Sequence, residues 1–373
     1  MRIGIDARPL EKQQRTGVGN YLYELLREIP ELAPQHEYIL YFHRDFEGNL
    51  PGPCIRRQID ARFAKLPGSF WLLSRVGQFA RKDQLDVFWS TASVLPLWVP
   101  KNVLKVVTVY DLVWMRFPET MQVTNLWLHR IRAADAIRKS DRIITISHST
   151  AKEIISSFDV AQEKIRLVYP GISEAFRPRD TLAAAQYISR KYKVAPQYMA
   201  AVGTLEPRKN LTLLIRVLQL LENKGCLACP LLIVGASGWK NSYIFREIQE
   251  SGLTDQEIQV LGYMPEEDLP LFYAGAKLFL FPSLYEGFGL PPVEAMACGT
   301  PVIASNAQSM PEVLSDAAIL ESPSNPVGFA QAITDLLSNE ELRCKMRERG
   351  LQRANLFRLE SSARQLLDAL CGT

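Results

Sequence analysis

The chain reads as an α/β protein of two domains, each an open parallel sheet flanked by helices. Three observations predict this. Residues Lys277 to Ala304 form a strand–loop–helix–strand unit, with Leu278-Phe279-Leu280-Phe281 as a buried strand and Pro301-Val302-Ile303-Ala304 as the next. Similar apolar runs alternate with helical stripes along the whole sequence. At 373 residues the chain is long for one core, and Pro170-Gly171 to Arg177-Pro178 has the composition of a hinge.

Hydrophobic residues make up 47% of the chain and charged residues 22%, ordinary values for a soluble globular protein. No apolar run reaches the length that crosses a bilayer, and the N-terminus opens as a strand, not a signal peptide. The six cysteines sit among apolar neighbours, and Cys226-Leu-Ala-Cys229 stands without a second pair or a nearby histidine. Reduced cysteines in a cytoplasmic protein are expected, and no metal site. Net charge is +3, but residues 1–170 carry 24 basic and 18 acidic side chains. That surplus suits an anionic acceptor or a membrane surface, and equally a plain solvated face. No basic stripe with interleaved aromatics points to nucleic acid.

In chain order, Ile3-Gly4-Ile5-Asp6 is the first strand. A loop with Arg15, Thr16, Gly17 and Gly19 follows, then a helix carrying Leu22, Leu25, Leu26 and Ile29. Such a loop lets a substrate approach the backbone; a tight turn is the alternative, and G-x-G-x-x-G is absent. Glu37 to Phe42 is the second strand. Residues 48–77, rich in Pro, Gly and Arg, hold Phe70-Trp71-Leu72-Leu73 near Arg56, Arg57, Arg62, Lys65 and Arg75. This cluster suits lipid head groups or a lipid-linked acceptor, or else core packing. Strands at 86–89 and 103–109 lead to Tyr110-Asp111, where Asp111 is either a site residue or a helix cap. A helix at 125–139 precedes the strand Arg142–Ile146, whose end carries His148, with Ser149 or Thr150 as a cap. Strand Ile165–Val168 ends the first domain.

The second domain opens with Met199 to Gly203. Thr204-Leu205-Glu206-Pro207-Arg208-Lys209-Asn210 follows, before a stripe of Leu211, Leu214, Ile215, Leu218 and Leu221. Arg208 can fork onto phosphate oxygens and Lys209 supplies a point charge. Strands at 231–235 and 258–262 come next, then helices at 325–337, 340–355 and 361–370. Between them lies Glu286-Gly287-Phe288-Gly289-Leu290-Pro291-Pro292-Val293-Glu294. Its glycines allow close backbone approach. The prolines suit a first helical turn, and a helix start favours phosphate. Glu294, placed in that first turn, can accept two ribose hydroxyls; Glu286 can meet the hydroxyls of a second sugar.

Glu286…Glu294 followed by Ala-Met-Ala-Cys-Gly-Thr-Pro-Val-Ile-Ala resembles the E-x7-E signature of family 4 retaining glycosyltransferases. The resemblance extends over essentially the whole chain. It implies the GT-B fold, two Rossmann-like domains facing across a cleft. The acceptor side would be residues 1–172 with a returning helix at 356–373, and the donor side residues 173–355. It implies a UDP- or GDP-linked hexose, glucose or mannose, moved with retention to a glycan or lipid-linked acceptor, in the cytoplasm or at the inner membrane face. Arg208 and Lys209 would hold the donor diphosphate with no metal, in line with the lack of Asp-x-Asp. The resemblance also implies donor or cleft contacts at Gly17, Gly19, Tyr263 and Met264, and acceptor-side roles for Tyr110, Asp111 and His148. Two positions depart from the family pattern: Tyr110 stands where a histidine is common, and Thr204 where some relatives have arginine. A nucleotide-sugar epimerase of the same fold and a non-catalytic nucleotide-sugar-binding subunit are the alternatives. A dehydrogenase lacks its fingerprint.

Overall fold

The computed structural model describes the backbone of residues 1–11, 17–44, 46, 50, 52, 55–59, 68–120, 123–236, 238 and 242–372. Arg15, Thr16, Arg62 and Lys65 lie outside the described residues. The chain forms two compact units. One comprises Met1–Arg116, Gln122–Ser173 and Arg358–Thr373; the other comprises Phe117–Met121 and Glu174–Phe357.

The first unit holds a parallel sheet of β1 (Arg2–Asp6), β2 (Glu37–Phe42), β3 (Ile55–Ile59), β4 (Val87–Ser90), β5 (Leu104–Val109), β6 (Arg142–Thr145) and β7 (Ile165–Leu167). Its order is β3-β2-β1-β4-β5-β6-β7. β4 is buried at every position, which is why its sequence shows no polar alternation: helices cover both faces of such a sheet. Arg56 and Arg57 belong to β3, not to a loop, pairing in register with Ile39 and Leu40. The run Phe70–Leu73 starts the helix Gly68–Lys82, and Trp71, Leu72 and Leu73 are buried while Phe70 is 55% exposed. Core packing therefore accounts for three of its four side chains. Among the described residues no helix is long and apolar enough to cross a membrane.

The last helix, Leu359–Cys371, belongs to the first unit. Its Leu359, Ala363, Leu366, Ala369 and Leu370 join the core of Ile3, Ile5, Leu22 and Leu26. Ser362 fastens it: Oγ donates to the Tyr169 carbonyl at 2.6 Å and lies 2.8 Å from Tyr21 Oη. Because serine has one hydroxyl proton, Tyr21 is the donor in the second bond. Gly171 allows the close packing, since a Cβ there would stand 2.4 Å from the Leu359 Cα.

The second unit has a parallel sheet of β8 (Met199–Val202), β9 (Leu231–Val234), β10 (Ile258–Gly262), β11 (Leu278–Phe281), β12 (Val302–Ser305) and β13 (Ala318–Glu321). Its order is β10-β9-β8-β11-β12-β13. The predicted stripe Leu211, Leu214, Ile215, Leu218 and Leu221 is the buried face of helix Leu211–Asn223. Both sheets reverse their winding direction between two central strands, β1 and β4 in one, β8 and β11 in the other. In such sheets ligands bind beyond the carboxyl ends at the reversal.

Three glycines end adjacent strands: Gly203 after β8, Gly235 after β9 and Gly262 at the end of β10. Gly203 N–H donates to Val234 O and Gly235 N–H to Gly262 O, at 2.9 and 2.8 Å. A Cβ on Gly235 would lie 1.9 Å from Gly203 O, a backbone clash that no rotamer relieves. Gly235→Ala should therefore cost about 3 kcal/mol, the upper range for overpacking. Urea unfolding of the variant reads this, and an unchanged midpoint would contradict it.

Candidate functional site

The site candidates of the second unit gather at the reversal between β8 and β11. These strands pair directly, Leu278 opposite Met199 and Phe279 opposite Ala200. The loops that follow them, 203–210 and 282–289, are therefore neighbours. Leu284 N–H donates to Arg208 O at 2.9 Å, and Arg208 Nη1 donates to Tyr285 O at 2.7 Å. Asn210 takes a left-handed conformation, φ 54°, which asparagine tolerates. Its amide donates to Pro282 O and Pro323 O at 3.1 and 2.9 Å.

Arg208 and Lys209 converge on Glu286. Lys209 Nζ lies 2.5 Å from Glu286 Oε1, and Arg208 Nη1 lies 2.9 Å from Oε2. Ser283 Oγ donates to Oε1 at 2.7 Å. Arg208 also pairs with Glu206, Nη2 to Oε1 at 2.6 Å. Burial alone would raise the Glu286 carboxyl, but Lys209 and Arg208, with the Lys209 and Ser283 hydrogen bonds, outweigh it and lower its pKa to about 2. The Lys209 ammonium sits 5.2 Å from the centre of the Phe281 ring. Its stem runs beside Gly203, whose missing Cβ leaves room for it. Glu286 is thus a buried counter-ion, not a solvated loop acid. Ser283, Glu206 and Asn210 are parts of the site that spacing did not single out, since each acts through another residue.

The helix after the second loop spans Leu290–Ala297, with Pro291 and Pro292 in its first turn as their fixed φ suits. Its N-cap, Gly289, has φ 89°, and a Cβ there would meet Met310 Cε at 2.5 Å. Pro291 and Pro292 remove two of the four backbone N–H groups at the helix start, leaving those of Gly289 and Leu290. Ser309 Oγ ties the loop down by donating to Glu286 O at 2.8 Å, with Phe288 O a further 3.3 Å contact. Phe288 itself is core, edge-on to Phe357 at 5.1 Å. Glu294 falls in the second turn, not the first, because the helix begins at Leu290. It is half-buried, and Tyr273 Oη donates to its Oε2 at 2.8 Å. Burial pushes its carboxyl up, Glu266 adds to that, and the Tyr273 bond opposes it, leaving a pKa of about 7. Two carboxylates eight residues apart therefore end in opposite states: Glu286 firmly ionised, Glu294 balanced near neutrality.

Along the same edge, Thr204 is exposed and Tyr263 is 46% exposed, whereas Met264 is buried at 2%.

In the first unit, Gly17 and Gly19 already lie in the helix Gly17–Leu32, not in a loop, and a Cβ on Gly17 would meet open space. Tyr110 packs against the core formed by Tyr21, Leu22 and Ile5. Burial first, then Tyr21 and Asp6, raises its hydroxyl pKa above the usual range. Asp111 Oδ1 accepts from Val113 N–H at 3.1 Å, the local cap of the turn Val113–Arg116. His148 is exposed at the first position of helix His148–Phe158, edge-on to Tyr169 at 6.2 Å. The cap of that helix is Ser147, not Ser149 or Thr150: its Oγ accepts from Thr150 N–H at 3.0 Å. The sheet reversal in this unit carries a pair that motif reading missed. Arg8 forks onto the fully buried Asp6, Nε to Oδ1 at 2.8 Å and Nη2 to Oδ2 at 2.7 Å.

Taken together, the second unit presents a pair of cations, a glycine-lined set of strand ends and a carboxylate poised near neutrality on the segments that follow its strands. That set can hold a diphosphate, a planar base and vicinal hydroxyls. Among the described residues no group of three or more His, Cys, Asp or Glu is placed to hold a metal ion.

Comparison with known proteins agrees with this layout. Residues 188–353 match the model of the glycosyl transferases group 1, and residues 15–176 match that of Glycosyltransferase Family 4. The chain is similar to O-antigen chain mannosyltransferase B of Escherichia coli, at 29% identity over 99% of both chains. Among solved structures, sucrose-phosphate synthase of Thermosynechococcus elongatus superposes with a TM-score of 0.78 at 19% identity, over 98% of this chain and 97% of that one. Anabaena HepE, solved in complex with UDP and glucose, gives 0.74 at 18% identity, over 99% and 98%. These are GT-B folds, and the chain belongs to the group 1, family 4 glycosyltransferases.

Proposed function

We propose that the protein transfers a mannosyl residue from a nucleoside diphosphate donor to a glycan acceptor during polysaccharide assembly. The observation that carries this is the convergence of Arg208 and Lys209 on Glu286 at the sheet reversal. The mannosyltransferase relative supports the choice of sugar, and HepE, solved with UDP, supports a nucleotide in this fold.

In this reading the donor diphosphate lies against Arg208 and Lys209, and its ribose hydroxyls meet Glu294. The bond from the anomeric carbon to the diphosphate oxygen breaks, and its electron pair leaves with the nucleotide. Arg208, Lys209 and the helix start at Gly289 stabilise that charge without a metal. The acceptor oxygen bonds the anomeric carbon on the same face, so configuration is retained, and its proton passes to the departing diphosphate oxygen. Glu286 meets sugar hydroxyls and sets the spacing of the two cations. The first unit, with Asp111 and His148, takes the acceptor.

Calorimetry with UDP and with GDP, first in chelator and then with magnesium, tests the core of this. One nucleotide should bind tightly without metal. It should also raise stability by about 2.7 kcal/mol at a hundredfold excess over Kd. Absence of binding, or binding that requires magnesium, would overturn the roles of Arg208 and Lys209. The same donor series, offered as mannose and glucose conjugates, assigns the sugar.

A further inference from the structure

We infer that Tyr273 is a positioning residue for nucleotide recognition: its hydroxyl orients the Glu294 carboxylate for the ribose hydroxyls. The inference rests on the proposed ribose role of Glu294 and extends it to a residue whose sequence context looks like plain packing.

Tyr273 belongs to the helix Leu269–Gly275, on a different element from Glu294, and is fully buried. Its ring is held by three aromatic neighbours: edge-on to Phe279 at 5.3 Å, edge-on to Phe176 at 5.9 Å and tilted to Phe272 at 6.4 Å. Its carbonyl accepts from Thr300 Oγ1 at 2.6 Å. A ring clamped in this way delivers its hydroxyl to one point, and that point is Glu294 Oε2. A buried tyrosine hydroxyl needs a partner, but the neighbouring Tyr198 finds one in the backbone, donating to Phe272 O at 2.9 Å. Tyr273 instead spends its donor on the carboxylate of the site.

That choice has two consequences. The bond engages one acceptor site of Oε2 and restrains the carboxylate, leaving Oε1 and the second Oε2 lone pair for ligand hydroxyls. It also favours the ionised form. Among the described residues the groups that act on Glu294 are Tyr273 on the adjacent helix and Glu266 just before that helix; Cys298, at the end of its own helix, is in turn acted on by Glu294 and Arg179. Of those acting on Glu294 directly, Tyr273 alone stabilises the carboxylate, against burial and Glu266. An ionised carboxylate accepts hydroxyl bonds more strongly than a protonated one.

The test measures Kd for the nucleoside diphosphate that binds and for its 2′,3′-dideoxy counterpart, across pH 6 to 8.5. It uses the full chain, Tyr273→Phe and Glu294→Gln. Tyr273→Phe should weaken the ribonucleotide about tenfold, the worth of one hydrogen bond to a charged group. It should leave the dideoxy nucleotide unchanged. The midpoint of pH-dependent binding should move upward in Tyr273→Phe and vanish in Glu294→Gln. If Tyr273→Phe weakens both nucleotides equally with an unmoved midpoint, its role is structural and the inference fails. If Glu294→Gln keeps the full ribose preference, the ribose role of Glu294 fails, and the inference with it. If Glu294→Gln removes that preference while Tyr273→Phe keeps it, only the role of Tyr273 is overturned.

Discussion

Lys209→Ala should lower kcat by about 10²–10³-fold, the effect of removing one preorganised group that faces developing charge. The size follows from how the ammonium is held. It is fixed by Glu286 at 2.5 Å, by the Phe281 ring at 5.2 Å and by a stem laid along Gly203. A charge so constrained needs no reorganisation as the diphosphate departs. Arg208 does not substitute for it, because Glu206 and the Tyr285 carbonyl hold its guanidinium in its own place, against the other oxygen of Glu286. Nucleoside diphosphate affinity should fall in parallel, by about tenfold, since part of the interaction is already made before bond cleavage. Lys209→Arg should rescue little: a planar fork does not fit where a compact charge sits over a ring beside a glycine. Steady-state kinetics with the donor identified by calorimetry reads all three values. Near wild-type turnover in Lys209→Ala would remove the phosphate role from this residue.

Much of this arrangement was legible in the sequence, for physical reasons that can be named. Parallel strands buried on both faces read as short apolar runs, so β8, β9, β11 and β12 stood out. Pro291-Pro292 and Gly299 bracket a helix, and the structure closes it at Cys298 with Gly299 at φ 83°. The stripe from Leu211 to Leu221 is helical by spacing and buried in fact. The spacing of Glu286 and Glu294, set between a strand and a helix, marked the loop whose Glu286 pairs with Arg208 and Lys209.

What the sequence hid is equally specific. Strand β3 is an edge strand in a stretch rich in Arg, Pro and Gly, so no apolar run announces it. Gly17 and Gly19 read as a loop since glycine usually breaks helices, yet here they begin one. The different states of Glu286 and Glu294 depend on which residues lie across the sheet reversal. Arg208 and Lys209 are 77 residues from their partner loop in sequence, and Tyr273 is 21 residues from Glu294. Asp111 lies just after β5 and His148 opens the helix after β6. Asp111 caps a short turn, and His148 packs on Tyr169.

Glu286→Gln should separate binding from turnover more cleanly than any other single change in the site. In the free protein Glu286 is the anion between two cations, so an incoming diphosphate must compete with it. Replacing the carboxylate by a neutral amide of the same shape ends that competition. Nucleoside diphosphate should then bind several-fold tighter, while kcat falls by about 10²-fold because the sugar-side contact and the cation spacing are both degraded. The free variant should also be less stable, by about 3 kcal/mol, since Lys209, only 12% exposed, is left without its counter-ion. Saturating nucleotide should return most of that loss, as the phosphates take over the counter-ion role. The pH dependence carries an independent signature. The Glu286 pKa is depressed to about 2 in the folded chain, so its ionised form contributes stability above the ordinary carboxylate range. That contribution is lost as pH falls from about 4.5 to about 2. Urea midpoints of the wild type should therefore drop across this window more steeply than those of Glu286→Gln. Parallel acid profiles for the two proteins, or weaker nucleotide binding by the variant, would show that Glu286 does not hold the cations in the free state.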